Sequence, residues 1–242
     1  MKLEQYDSLA KQLARILRKE LRTELSLGGR LPAEKKLAEH FNVSRATVRQ
    51  ALTMLEREGM VIRRHGSGTY ANKYAQKTQA RAEIAYEFTE LLDRAGYKPS
   101  IELIMLEERP LTPEIAEKLE VRQKEDALWV KKLFLADGQP AVLCLDVVPE
   151  CLITKPYPGG ELKKPIYSFL ETYCDVHVSQ IMAEIIPDTV DESLARKMDM
   201  EVGQPLLRFE EINFDQDNRP VLFARIYYNY DYVHFSVLRS KV

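Results

Sequence analysis

Leu9, Leu13, Ile16, Leu17, Leu21 and Leu25 recur at three- and four-residue steps. They form one apolar stripe along a helix predicted from about Tyr6 to Leu25, stopped by Gly28-Gly29. Leu37, Ala38 and Phe41 are the buried side of a short second helix that opens near Glu34. Asn42-Val43-Ser44 makes a turn, and Ser44 is placed to cap a third helix over about Arg45 to Glu58. Val48, Ala51, Leu52 and Leu55 line one face of that helix, and Gly59 ends it. Met60-Val61-Ile62 and Thr69-Tyr70-Ala71 read as two short strands around the basic, glycine-rich turn Arg63 to Gly68.

The pattern then changes. Residues 73–80 are polar, without an apolar period, and are expected to be a linker. Beyond them the period of two dominates. Ile101 to Glu107, Ala127 to Leu135, Pro140 to Val148, Val178 to Ile186, Leu206 to Phe214 and Val221 to Tyr228 read as strands, with Val233 to Leu238 closing the chain. Asp137-Gly138 and Asp215 to Arg219 mark hairpins. Helices are expected after Thr112-Pro113, over Ile166 to Tyr173, and from Asp191 to Met198. The fold class predicted is α+β. A winged helix-turn-helix over 1–72 precedes an α+β domain on an antiparallel sheet of about six strands over 81–242.

Charge divides the chain at the same place. The whole is nearly neutral at −2, but residues 1–76 carry 15 Lys and Arg against 8 Asp and Glu, a net of +7, and the remainder carries −9. A basic first third can meet a polyanion. The N-terminal residues have no apolar core of a signal peptide, and no apolar run approaches the roughly 18 residues of a membrane span, so a cytoplasmic protein without membrane contact is expected. Cys144, Cys151 and Cys174 form no CxxC pair, and His40, His65, His177 and His234 share no ligand spacing. No disulfide framework, metal site or other cofactor is expected.

The chemistry of the first seventy residues suits double-stranded DNA. The second helix of a helix-turn-helix enters the major groove and presents its N-terminal residues to base edges. Arg45 and Arg49 lie one turn apart there, and a guanidinium can bond guanine O6 and N7 together. Ser44 and Thr47 suit phosphate contacts, while Arg64, His65, Gly66 and Gly68 form the wing, where glycine lets backbone approach the duplex. Leu31-Pro32-Ala33-Glu34, Leu37-Ala38, Val43-Ser44-Arg45-x-Thr47-Val48-Arg49-x-Ala51-Leu52, Glu58-Gly59 and Gly66-x-Gly68-Thr69-Tyr70 resemble the DNA-binding domain of GntR-family transcription regulators. The resemblance implies base or groove contacts for Lys35, Arg45 and Arg49, phosphate contacts for Ser44 and Thr47, and minor-groove entry for His65 and Gly66. Ala33 departs from the pattern, where Ser often caps the helix.

The second domain resembles the UTRA effector domain of the HutC-type branch. The likeness rests on Phe88-Thr89-Glu90, Lys131 to Pro140, Pro165-Ile166-Tyr167 and Ala224 to Tyr228. It implies the chorismate lyase fold, a bound metabolite and a homodimer. Where phosphosugar-sensing members carry paired arginines and acids, this chain has Lys132, Phe134, Cys144 and Leu222. One Lys and one Phe cannot build a bidentate phosphate clamp. The effector expected is therefore partly apolar, with at most one anionic group held by Lys132. Phe88 would line the site, and Thr89, Tyr167 and Tyr228 would supply hydrogen bonds. Cys144 reads as a small buried hydrophobe rather than a redox thiol. An alternative is that Phe134, Cys144 and Leu222 are plain core.

The function expected is a ligand-responsive repressor, a homodimer on a palindromic operator, released by a small metabolite. Two alternatives stand beside it. The second domain could only dimerise, or it could be a lyase-like enzyme. Against the enzyme, the chain has no Gly-x-Ser-x-Gly, no His-Glu pair at metal spacing and no evident acid/base pair.

Overall fold

A computed structural model describes residues 8–23, 29–64, 66–72 and 80–237. His65, nearly all of the expected linker and both ends of the first predicted helix lie outside the described residues. The chain divides into two compact units, Met1–Arg81 with Phe235–Val242, and Ala82–His234.

The first unit contains helices α1 (Leu9–Thr23), α2 (Glu34–His40) and α3 (Arg45–Arg57), then strands β1 (Val61–Arg64) and β2 (Gly68–Ala71). Leu13, Leu17 and Leu21 of α1 pack with Leu37 of α2 and Val48, Leu52 and Leu55 of α3 in one buried cluster. Every one of these positions belongs to the apolar stripes of the sequence. Between the helices, Arg18 of α1 donates two hydrogen bonds to Glu58, at 2.9 and 2.6 Å, beside the end of α3. β1 and β2 pair antiparallel as the expected wing. A feature absent from the sequence reading is a short third edge: Leu31 N donates to Thr69 O and Ala71 N donates to Gly29 O. The wing is thereby tied to the segment before α2.

The second unit is a six-stranded antiparallel sheet. Its strands are β4 (Pro99–Pro110), β5 (Asp126–Ala136), β6 (Gln139–Pro149), β7 (Val178–Thr189), β8 (Pro205–Asp215) and β9 (Pro220–Tyr228), in the spatial order β4-β5-β6-β9-β8-β7. The Asp137-Gly138 hairpin forms as expected, with φ of 51° and 84° at its two central residues, the geometry of a primed two-residue turn. Four helices accompany the strands: α4 (Phe88–Arg94), α5 (Pro113–Lys118), α6 (Ile166–Tyr173) and α7 (Glu192–Met198).

The order of elements repeats. Helix, strand, helix, strand, hairpin, strand runs once as α4-β4-α5-β5-β6 and again as α6-β7-α7-β8-β9. The two halves join where β6 pairs with β9 at the centre of the sheet. On one face, Leu128 and Val130 of β5 and Leu222 of β9 pack against α6 through Ile166, Phe169 and Leu170. On the other, Trp129, Val147 and Phe223 pack against Ile115 and Ala116 of α5, and Leu133 and Leu143 against Leu194 and Met198 of α7. The continuous apolar runs of β5 and β6 follow from this: both faces of the central strands are covered.

The last predicted strand differs from expectation. Phe235–Ser236 does not join the six-stranded sheet but pairs in parallel with Ala80–Arg81, the strand β3. The turn after β9 accounts for the exit. Asn229 Oδ1 accepts from Asp231 N, and Asn229 O accepts from Tyr232 N and Val233 N, which bends the chain away from the ladder.

Candidate functional site

Two groups of side chains stand out, one in each unit. In the first, Ser44 caps α3 as expected. Its Oγ accepts from Thr47 N at 3.0 Å, and the two hydroxyls are 2.8 Å apart. Lys35, Arg45, Arg49 and Arg64 are all exposed. Arg49 Nη2 donates to Glu34 Oε2 at 3.1 Å, so α2 holds a side chain of α3. Arg63 donates to Arg49 O and Thr53 Oγ1, bracing the wing strand against α3. Arg64 lies over the Tyr70 ring, 4.7 Å from its centre. Ala33 precedes α2 without a side-chain cap, as its identity implies. Gly66 and Gly68 both have positive φ, and a Cβ on Gly68 would meet Arg30 Nε at 2.9 Å.

In the second unit, strand register decides which residues meet. Lys132 pairs with Cys144, Cys144 with Ile226, Glu211 with Ala224 and Asn213 with Leu222. Alternation therefore places Lys132, Phe134, Cys144, Asp146, Phe209, Glu211, Asn213, Leu222 and Tyr228 on one face, which carries α6 and which we call the inner face. Phe88 of α4 closes over it. Its ring is 4.7 Å from Phe134 and 6.1 Å from Tyr228, and Tyr228 is 5.0 Å from Phe209. Tyr167 of α6 donates to Asn213 Oδ1 at 3.1 Å. Thr89 is half-buried on α4. Leu222 is part of the apolar cluster under α6.

Lys132 requires a correction. It was expected to be a cation open to an effector's anion. Its side chain is 0% exposed, with Nζ 3.4 Å from Asp146 Oδ2 and donating to Lys164 O at 3.0 Å. A buried ammonium must be paired, and Asp146 on the neighbouring strand pairs it. Cys144 donates its thiol to the same carboxylate at 3.3 Å, and burial pushes that thiol far up, which keeps it protonated.

Four polar residues of this layer escaped the sequence reading: Glu87, Asp146, Glu211 and Asn213. Burial raises Glu87 to about 7, against the pull of Lys132, and burial with the nearby Asp146 raises Glu211 to about 7. Burial also pushes the Tyr167 and Tyr228 hydroxyls up. Asn213 is fully buried, and among the described residues its Nδ2 has no hydrogen-bond partner. A signal was available, since Asp146, Glu211 and Asn213 are polar residues at the inward phase of otherwise apolar strands. Among the described residues no group of three His, Cys, Asp or Glu is arranged to hold a metal ion.

The two units correspond to two family models: residues 9–71 match the bacterial regulatory proteins of the gntR family, and residues 94–234 match the UTRA domain. The chain is a GntR-family transcriptional regulator with a UTRA domain. Relatives agree across both parts. The transcriptional repressor NagR of Bacillus subtilis is 28% identical over 213 residues, covering 85% of this chain and 84% of NagR. The mannosyl-D-glycerate transport/metabolism system repressor MngR of Escherichia coli is 25% identical, covering 96% of each. The crystal structure of YydK from Bacillus subtilis superposes with a TM-score of 0.77 at 23% identity, over 96% of this chain and 99% of that one. The GntR match thus contains the Arg45 and Arg49 helix, and the UTRA match contains the inner-face strands, with Glu87 and Phe88 just before its first residue.

Proposed function

We propose that this regulator is a homodimeric repressor whose two GntR heads read the halves of a palindromic operator and whose UTRA domain binds a small metabolite that releases it. The observation that carries the reading is the start of α3. Arg45 and Arg49 stand exposed one turn apart behind a Ser44 cap, in a segment of net charge +7. Arg45, Arg49 and Lys35 meet base edges or the groove. Ser44 and Thr47 meet phosphate, and the wing with Arg64, His65, Gly66 and Gly68 follows the backbone into the minor groove. NagR and MngR are named as repressors, and MngR for the use of a small metabolite, which supports the sign and the kind of signal.

The effector lies on the inner face of the UTRA sheet. Phe88, Phe134 and Tyr228 surround its apolar part, and Thr89 and Tyr167 supply polar contacts. Cys144 and Leu222 pack behind it, and Lys132 acts through Asp146 rather than alone. The cytoplasm, where DNA and metabolite meet, is the place of action. Release follows if the effector binds better to a dimer whose heads do not match the operator spacing.

The test is selection of duplexes from a random library by the full-length protein, followed by anisotropy titrations over a salt series. A palindromic consensus and a steep fall of affinity with salt are expected, because several phosphate contacts release counterions. Recovery of no consensus, or a flat salt response, would remove the reading. Light scattering of the same sample should give twice the 28.0 kDa chain mass.

A further inference from the structure

The two edges of the six-stranded sheet are built differently. β4 ends one side and β7 the other. Natural sheets blunt an open edge with charge, proline or a bulge, because unpaired backbone N–H and C=O groups recruit another strand. β4 has all three. It carries Glu102, Glu107, Glu108 and Arg109, begins and ends in proline at Pro99 and Pro110, and shifts register between Leu103 and Met105. Tyr157 donates to Glu108 and Arg109 lies over the Trp129 ring, so part of this strand is also covered. β7 is as long, at 12 residues, and has little of this. Its register shift lies at its first residues, Val178 to Gln180, and its proline lies near the far end, at Pro187. Its charges are Glu184 and Asp188, and Arg208 of β8 balances Asp188 at 2.9 Å. Ile181, Met182, Ala183, Ile185 and Ile186 run through its middle. Met182 is 59% and Ile185 49% exposed, on opposite faces of the sheet. Among the described residues no strand pairs with the free side of β7.

We propose that β7 is the dimer contact: it pairs antiparallel with β7 of a second copy of this chain, joining two six-stranded sheets into one of twelve strands. This inference rests on the homodimer of the proposed function and names the surface that forms it. A palindromic operator asks for a two-fold axis in the protein, and an antiparallel pair of identical strands has such an axis normal to the sheet. That axis keeps each side chain on its own face, so one residue must stand opposite its own copy. The midpoint of β7 falls between Ala183 and Glu184. Glu184 opposite Glu184 would set like charges together, which is unfavourable. Ala183 opposite Ala183 has no such cost. In that register Ile181 faces Ile185 of the second copy, twice, on the inner face, and Met182 faces the stem of Glu184 on the outer one. Ile185 stands opposite Phe209 of β8, whose ring is 5.0 Å from Tyr228. The contact thus continues the apolar layer of the inner face from one copy into the next. β4 opposite itself would instead gather three acids from each copy.

Sedimentation velocity over a dilution series of the full-length protein tests it. The parent should give twice the 28.0 kDa chain mass. Met182→Lys with Ile185→Lys should weaken self-association at least about a hundredfold and give the single-chain mass at micromolar concentration. Both side chains are already exposed, so this variant should keep the parent's far-UV circular dichroism. Ile104→Lys with Leu106→Lys, at exposed apolar positions of β4, should stay dimeric. A second measurement disrupts nothing. Ala183→Cys, in a Cys151→Ser background that removes the exposed native thiol, should form a disulfide-linked dimer under mild oxidation. Directly opposed residues of an antiparallel pair have Cα atoms about 4.5–5.5 Å apart, within the reach of a disulfide. Ile104→Cys in the same background should stay unlinked. The proposal is overturned if the β7 lysine variant remains dimeric, if the β4 variant alone dissociates, or if Ala183→Cys stays unlinked in a protein that is dimeric. In those cases the homodimer reading stands and its contact lies elsewhere. A parent that sediments as one chain at every concentration removes the homodimer reading and this contact together.

Discussion

Lys132 and Asp146 lie on neighbouring strands with Nζ and Oδ2 3.4 Å apart, and both side chains are almost wholly buried. The pair holds the centre of the UTRA layer. Removing either partner leaves an unpaired charge away from water. Lys132→Met should therefore destabilise the protein by about 3–5 kcal/mol, and Lys132→Met with Asp146→Leu by much less. Urea unfolding of the three proteins measures this. Equal losses in the single and double variants would show that the two charges do not compensate each other.

Arg49 is held by Glu34 on an exposed side of the GntR head. Arg49→Ala should cost roughly 1–3 kcal/mol of operator affinity and relax the base preference at one position of each half-site. Glu34→Ala should change folding stability by less than about 1 kcal/mol, because the pair is open to solvent. Anisotropy on single-base operator variants, with a melting curve for each protein, checks both.

Glu87 and Glu211 are raised to about 7 from an ordinary 4.5. The groups around Glu87 are Lys132, Asp146, Glu90 and Glu171, and those around Glu211 are Asp146, Tyr167 and Tyr228. Between pH 4.5 and 7 the folded state holds protons that the unfolded chain has lost, so these two groups make stability fall as pH rises through that window. The Glu87→Gln, Glu211→Gln double variant should flatten that slope and exceed the parent at pH 8 by on the order of 1 kcal/mol for each site. Denaturant titrations from pH 5 to 8 decide.

Gly68 has φ +110° and no room for a Cβ against Arg30, whereas Gly66 at φ +70° faces open space. Gly68→Ala should destabilise the GntR head by about 1–3 kcal/mol, and Gly66→Ala by about 1 kcal/mol. Differential scanning calorimetry would separate the two. Equal effects would mean that φ alone, and not the Arg30 contact, limits the wing.

The local elements were legible in the sequence because each depends on neighbours in the chain. The stripes of α1, α2 and α3, the Ser44 cap, the Thr112-Pro113 start of α5 and the Asp137-Gly138 turn are settled by residues a few positions apart. The family resemblance and the basic head were legible for the same reason. Contacts across long separations were not. Whether Lys132 is open or paired depends on Asp146 in the next strand, and whether Asn213 is satisfied depends on Tyr167, 46 residues away. Val233 to Leu238 has strand composition, yet hydrogen bonds at Asn229 send Phe235–Ser236 to Ala80–Arg81 instead of the sheet. The sequence by itself determined the parts and their period. Tertiary structure alone decided the register that gathers Asp146, Glu211 and Asn213 on one face, because only packing fixes which face of each strand turns inward.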